Sequence, residues 1–120
     1  MARFEYTNTK GKIIPLTPTA HAVDNFIRRW NRLHPDKRML PEKAETKMAE
    51  LFGRAFRVWN LSKQEERRRR RHTRDTLFFR TDEFRFVVQN QHIVTVEIST
   101  REKKHLNRPR RRLSDLLEET

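Results

Sequence analysis

The sequence predicts an α+β domain: two N-terminal helices packed on one face of an antiparallel β-meander, with a basic C-terminal tail. Three observations carry this. Thr76–Ser99 is the only stretch in which β-branched and aromatic residues dominate without a long break. Two segments ahead of it repeat apolar residues at spacings of three and four, as amphipathic helices do. A meander has one greasy face to cover, and only the N-terminal half holds enough apolar surface to cover it. Three divisions follow: an N-terminal arm or edge strand over 1–16, a helix-helix-meander domain over 17–100, and a basic tail with a short terminal helix over 101–120.

In chain order, Ala2–Thr7 and Lys12–Leu16 read as short strands or extended arms, separated by a segment holding Gly11. Pro15 and Pro18 restrict Ile13–Leu16 to an edge strand or a loop, because proline cannot donate to a sheet ladder. The first helix is capped by Thr17 or Thr19, takes Pro18 in its first turn and ends before Pro35. Ala22, Val23, Phe26, Ile27, Trp30 and Leu33 make its apolar stripe, with His21, Asp24, Asn25, Arg28, Arg29 and Arg32 off it. Pro41 opens the second helix, with Glu42 and Glu45 near its positive end. That helix is expected to run through Gly53, at about 1 kcal/mol relative to alanine, and to bury Ala44, Met48, Leu51, Phe52, Ala55, Phe56 and Trp59. Ser62 and Glu65 have capping-box spacing, so a third short helix or a loop carries the arginines that follow.

The meander reads as Leu77–Arg80, Phe84–Gln89 and Ile93–Ile98. A two-residue turn at Asn90-Gln91 would set Phe84 against Glu97. A loop of odd length sets Arg85 against Glu97 and Phe86 against Val96, and opposite charges favour direct pairing. The odd loop is therefore expected. An even-parity turn at Thr81–Glu83 sends Leu77 and Phe79 to the core. Arg80, Phe78, Arg85, Val87, Gln89, Ile93, Thr95 and Glu97 then share the second, polar face. Trp30, Phe52, Phe56, Phe86 and Val96 are expected in one core. Ser114–Glu119 has the pattern of a final amphipathic turn.

At 120 residues the chain is one domain with a modest core. Charged residues (37%) outnumber hydrophobic ones (34%), so parts of it are expected to be solvated arms. It has no cysteine, and so neither disulfides nor a thiolate site. No apolar run reaches membrane-spanning length and Met1–Lys10 lacks a signal-peptide core, which points to a cytoplasmic protein. The net charge of +12 makes a polyanion the expected partner, nucleic acid ahead of membrane. Lys63–Arg74 sums to +5 and Arg101–Arg112 to +6. Candidate nucleic-acid contacts are Arg28, Arg67, Arg68, Arg69, Arg70, Arg71, Arg85, Arg110, Arg111 and Arg112. The plain alternative for each cluster is solvated surface.

With two glycines, dinucleotide and P-loop motifs are excluded. The five histidines, at 21, 34, 72, 92 and 105, have no metal-ligand spacing, and no cofactor is expected. His21 stands apart from the other four because it opens the first helix, off the apolar stripe, with Asn25 and Arg28/Arg29 one and two turns on. The segment from His21 to Arg29, HAVDNFIRR, resembles the H-A-x-x-x-F-x-x-R opening of small colicin-like ribonucleases. Phe84–Val88 and Ile93–Val96 resemble the closing hairpin of such domains. With the basic Ser99–Lys104 behind it, the hairpin is also similar to RelE/ParE-type toxins.

The resemblance spans roughly Thr17–Lys104 and implies the barnase–colicin–RelE type of fold. It also implies metal-independent RNA cleavage by 2′-hydroxyl attack on the adjacent phosphate, and an acidic protein inhibitor as a possible partner. Asn25, where such openings often carry arginine, and the arginine tract depart from the pattern. The implied catalytic set is His21 for proton transfer, Arg29 and Arg80 on the phosphate, and Thr95 as a hydroxyl donor. Phe78 or Val87 would support a base. His21 is expected past a sheet edge, where it meets arginines arriving from the strands. Two competing classes are a non-catalytic RNA- or DNA-binding module and an interaction component of a ribonucleoprotein, phage or toxin–inhibitor complex.

Overall fold

The structure, a computed structural model, describes residues 3–59, 63, 65–67 and 76–99. In chain order the elements are β1 (Phe4–Thr7), β2 (Ile13–Pro18), α1 (Ala20–Leu33), α2 (Pro41–Gly53), β3 (Phe56–Arg57), β4 (Leu77–Arg80), β5 (Phe84–Gln89) and β6 (His92–Ile98). The strands form one sheet of order β1-β2-β6-β5-β4-β3, curled into a half-barrel. Every neighbouring pair is antiparallel except β2 and β6.

This overturns the expected two helices on an antiparallel meander. The meander exists, but it is half of a mixed six-stranded sheet, and the N-terminal hairpin and β3 supply the rest. The reason lies in two local features. Asn8 folds the β1–β2 turn by accepting from the Lys10 and Lys12 amides through Oδ1, at 3.0 and 2.9 Å. Gly11 takes φ +78°, which glycine adopts without steric cost. Pro18 is then tolerated because the amides on either side of it, Thr17 and Thr19, donate to Gln91 and Ile93 carbonyls at 3.1 and 3.0 Å. In a parallel ladder the residue between two donors points its own amide away, so nothing is lost at proline. Pro15 lies before β6 joins, where β2 is flanked by β1 alone.

Thr19 caps α1, its Oγ1 accepting from the Ala22 amide at 3.1 Å and donating to the Ile93 carbonyl at 3.2 Å. One side chain thus starts the helix and ties it to β6, and α1 packs along that strand. Pro18, expected in the first helical turn, ends β2 instead. Phe26 meets Phe84 with ring centroids 5.4 Å apart, and Phe52 of α2 meets Phe4, Phe79 and Phe86. Ala22, Ala44, Met48, Val88, Ile93 and Val96 complete the core.

Phe52, Phe86 and Val96 are buried as expected, and Trp30 is half-buried against the same cluster. Phe56 is not: it is 79% exposed, on edge strand β3 beside Arg80. The second helix is shorter than its apolar period suggests, since α2 stops at Gly53 and the Arg54 amide closes onto the Leu51 and Phe52 carbonyls. Glycine's low helix propensity, with strand pairing to β4 on offer, ends the helix there.

The β4 and β5 bounds match the expectation, and so does the even-parity β4–β5 register, with Leu77 opposite Val88 and Arg80 opposite Arg85. The β5–β6 loop does not have odd length. Asn90 and Gln91 form a two-residue turn with φ of 48° and 63°, the positive pair that suits strand twist. A β-bulge between Val87 and Val88 shifts the register by one. It restores Arg85 opposite Glu97 and Phe86 opposite Val96, and it turns Ile93 into the core rather than onto the polar face.

That second face is not open either: Phe78, Val87, Arg85 and Thr95 are all buried. Helical Glu65 belongs to its cover, its Oε2 3.4 Å from Arg85 Nη1. Among the described residues no helix is long and apolar enough to cross a membrane. The tail over 101–120, with its expected terminal helix, lies outside the described residues.

Candidate nucleic-acid interface

Residues 21, 25, 28, 29 and 32 fall within roughly 100° of one another around α1, at 100° per residue. His21, Arg28 and Arg32 are exposed and Arg29 is half-buried. The middle of the stripe, Asn25, is buried. Its Nδ2 lies 2.9 Å from His21 Nε2 and 3.0 Å from Thr95 Oγ1, and its Oδ1 accepts from Arg28 Nη2 at 2.6 Å. The arginine fixes the amide's orientation, because a flipped amide would set two donors face to face. Nδ2 therefore donates both its hydrogens, one to Thr95 and one to His21. In this arrangement His21 Nε2 is an acceptor and Nδ1 is the ring nitrogen that carries hydrogen.

The structure thus joins two of the four expected catalytic residues, His21 and Thr95, through a third that was not expected among them. Asn25 was legible: it stands one helical turn after His21, on the same face. Arg29 shares the stripe. Arg80 does not join them. It lies two strands across from Thr95 and two residues along, roughly 12 Å between Cα atoms by strand spacing and rise, beside Phe56 at the far edge. The expected meeting of His21 with arginines from the strands is absent among the described residues, and Arg28 of α1 itself takes that place. Thr95 is buried, so its hydroxyl holds Asn25 rather than facing a phosphate.

Arg85 is corrected as a nucleic-acid contact. It is buried, its Nε donates to Glu97 Oε2 at 3.1 Å, its Nη2 pairs with the same carboxylate, and Glu65 lies on its other side. Both carboxylates compensate it internally. Of the arginine tract, Arg67 is exposed and helical, while Arg68, Arg69, Arg70 and Arg71 lie outside the described residues, as do Arg110, Arg111 and Arg112. Phe78 and Val87, expected to support a base, are buried and closed to one.

Among the described residues no three His, Asp or Glu side chains are grouped to hold a metal ion. Two clefts among the described residues lie away from α1. One, of about 440 Å³, opens between the β1–β2 hairpin and β3; the other, of about 450 Å³, opens between the end of α2 and the β4–β5 turn. Compared with known protein families, with curated proteins and with solved structures, the chain finds no match.

Proposed function

We propose that the chain is a basic RNA-binding protein that docks the phosphate backbone on the outward face of α1. The observation that carries this is the stripe of His21, Arg28, Arg29 and Arg32, with Arg28 aimed by Asn25 and its charge left in solvent. Arginine guanidinium groups hold phosphate oxygens in bidentate fashion. With Nε2 turned to the Asn25 amide, His21 Nδ1–H adds one more donor. The net charge of +12 supplies the long-range attraction.

A second reading, metal-independent RNA cleavage, draws on the link from His21 through Asn25 to Thr95. It meets one obstacle in the geometry: the Nε2 lone pair is already occupied by Asn25, so the ring must turn away before it can accept a 2′-hydroxyl proton. Binding therefore ranks first.

The test is anisotropy of a labelled single-stranded RNA across a salt series in excess chelator, with the products then run on a gel. Affinity is expected to fall linearly with salt on logarithmic axes, as counterion release requires, with the RNA intact. A flat salt profile overturns the binding reading. Fragments ending in 2′,3′-cyclic phosphate, lost in His21→Ala, would raise cleavage above binding alone.

A further inference from the structure

The half-barrel leaves a seam where its two edges, β1 and β3, face the same cleft. Tyr6 lines this cleft half-buried, backed by the buried ring of Phe79, 5.3 Å from it, and by that of Phe52, 5.0 Å from Phe79. Glu5 and Thr7 offer a carboxylate and a hydroxyl, and Arg57 stands at the mouth. The Arg57 guanidinium lies 3.9 Å from the ring centre of Trp59, which is 64% exposed. Thr7 and Ile13 end the β1–β2 ladder and both line the cleft, so the turn bearing exposed Lys10 and Lys12 stands at one end. Exposed Arg54 follows Gly53 on the other side.

We infer that this seam takes one unstacked nucleobase of a single-stranded RNA, with the flanking phosphates held on Arg57 and the rim cations. The inference rests on the RNA-binding reading and adds a second site to it. The chemistry matches at three points. Aromatic faces stack any base, a contribution seen across single-strand binders, and half-buried Tyr6 and exposed Trp59 are the rings in place for it. A carboxylate accepts from exocyclic amino and ring N–H groups, and a hydroxyl both donates and accepts. The cleft's volume of about 440 Å³ falls low in the roughly 300–1,000 Å³ range of small-ligand sites, enough for one nucleotide and too little for a duplex. Lys10, Lys12 and Arg57 around an exposed Glu5 match a phosphate path that ends in a base with hydrogen-bond donors. A guanidinium already stacked on an exposed tryptophan extends the platform outward.

Gly53 supplies the test. It lines the cleft, and a Cβ built on it meets nothing within 4 Å, so the backbone accepts a side chain there and Gly53→Leu brings one to the cleft. Short single-stranded RNA and a duplex of the same sequence are titrated into wild type and Gly53→Leu, each in a Trp30→Phe background in which Trp59 is the sole fluorophore of its kind. Single-strand affinity is expected to fall about tenfold, with duplex affinity and both salt slopes unchanged. Trp59 emission should respond to the single strand and not to the duplex.

Equal single-strand binding by a folded Gly53→Leu protein overturns the inference and leaves the α1 interface standing. Loss of salt-dependent binding in the wild type removes the reading beneath it. A change of oligomeric state in Gly53→Leu in place of an RNA effect makes the seam a self-association surface and equally overturns it. Should Gly53→Leu fail to fold, Arg57→Gln on the rim gives a second comparison: a defect confined to the single strand, with its salt slope lowered by about 0.7, supports the site, and none refutes it.

Discussion

Two arginines of this domain meet opposite fates. Arg28 comes from α1 and uses one hydrogen bond on a neutral amide, leaving its charge at the surface. Arg85 comes from β5 and lies buried between the carboxylates of buried Glu65 and half-buried Glu97. The first is available to an anion and the second is part of the protein's interior. Formal charge is therefore not binding capacity. A count of +12 treats the two alike, while the neighbour of each guanidinium decides whether it is open to phosphate.

The largest effect that would upset this contrast lies at Arg85. Arg85→Met keeps an extended side chain and removes the cation between two poorly solvated carboxylates. Breaking such a pair from one side costs about 3–5 kcal/mol, a large share of a small domain's total. Urea unfolding should show the midpoint falling with little change in the slope. The salt dependence of RNA binding, measured where the variant is still folded, should stay as in wild type. A loss below about 1 kcal/mol would mean that the arginine is solvated and restore it as a nucleic-acid contact.

A smaller effect is expected at the other cluster. Asn25→Leu removes the donor to Thr95 and to His21 and the acceptor for Arg28, and it leaves a buried hydroxyl without that amide. The cost is about 1–3 kcal/mol, the usual penalty for such a group. Thr95→Val, which deletes the hydroxyl with little change of shape, should cost less, and the double variant should cost less than the sum. Additive losses in that cycle would show that the two side chains are not coupled.

How much of this was legible in the sequence follows from the range over which each signal acts. The bounds of β4 and β5, the Thr19 cap and the apolar stripe of α1 are local, set by alternation, capping and helical period. The Arg85–Glu97 pairing was legible as well, because charge complementarity survives any loop that produces it. The turn and bulge that produce it were not, since a bulge leaves no mark in composition. The joining of β2 to β6 depends on partners some 75 residues apart, as the Thr19–Ile93 and Thr19–Val94 contacts show, and proline argues locally against a strand. Gly53 and Phe56 mislead together: helical period continues past the glycine, while a two-residue strand is too short to announce itself. Glu65 has the spacing of a capping residue and Arg85 the placement of a surface cation, because an ion pair between distant segments has no periodicity. At the site, spacing gathers His21, Arg28 and Arg29, but Arg80 rests on burial parity alone, and parity does not give distance across a sheet.

The smallest effect on stability and the clearest on binding is expected along α1. Arg28, Arg29 and Arg32 lie on the helix's outward stripe, so changing each to glutamine keeps helix propensity close to that of arginine. The unfolding midpoint should hardly move. Removing one arginine–phosphate pair should instead lower the slope of affinity against salt by about 0.7 for a single strand, whatever the sequence. Arg28→Gln has a further consequence that separates it from its neighbours. Glutamine's amide can donate to Asn25 Oδ1, but it can equally turn its carbonyl to accept from a flipped Asn25, so it no longer fixes the Asn25 orientation against His21. Arg28→Gln should therefore alter the His21 ring nitrogen shifts in nitrogen-15 NMR, whereas Arg32→Gln should leave them in place. Identical spectra for both variants, or slopes unchanged for all three, would mean that α1 is not where the backbone docks. The RNA-binding charge would then have to be sought on other parts of the chain, with Arg28 closer in kind to Arg85 than its exposure suggests.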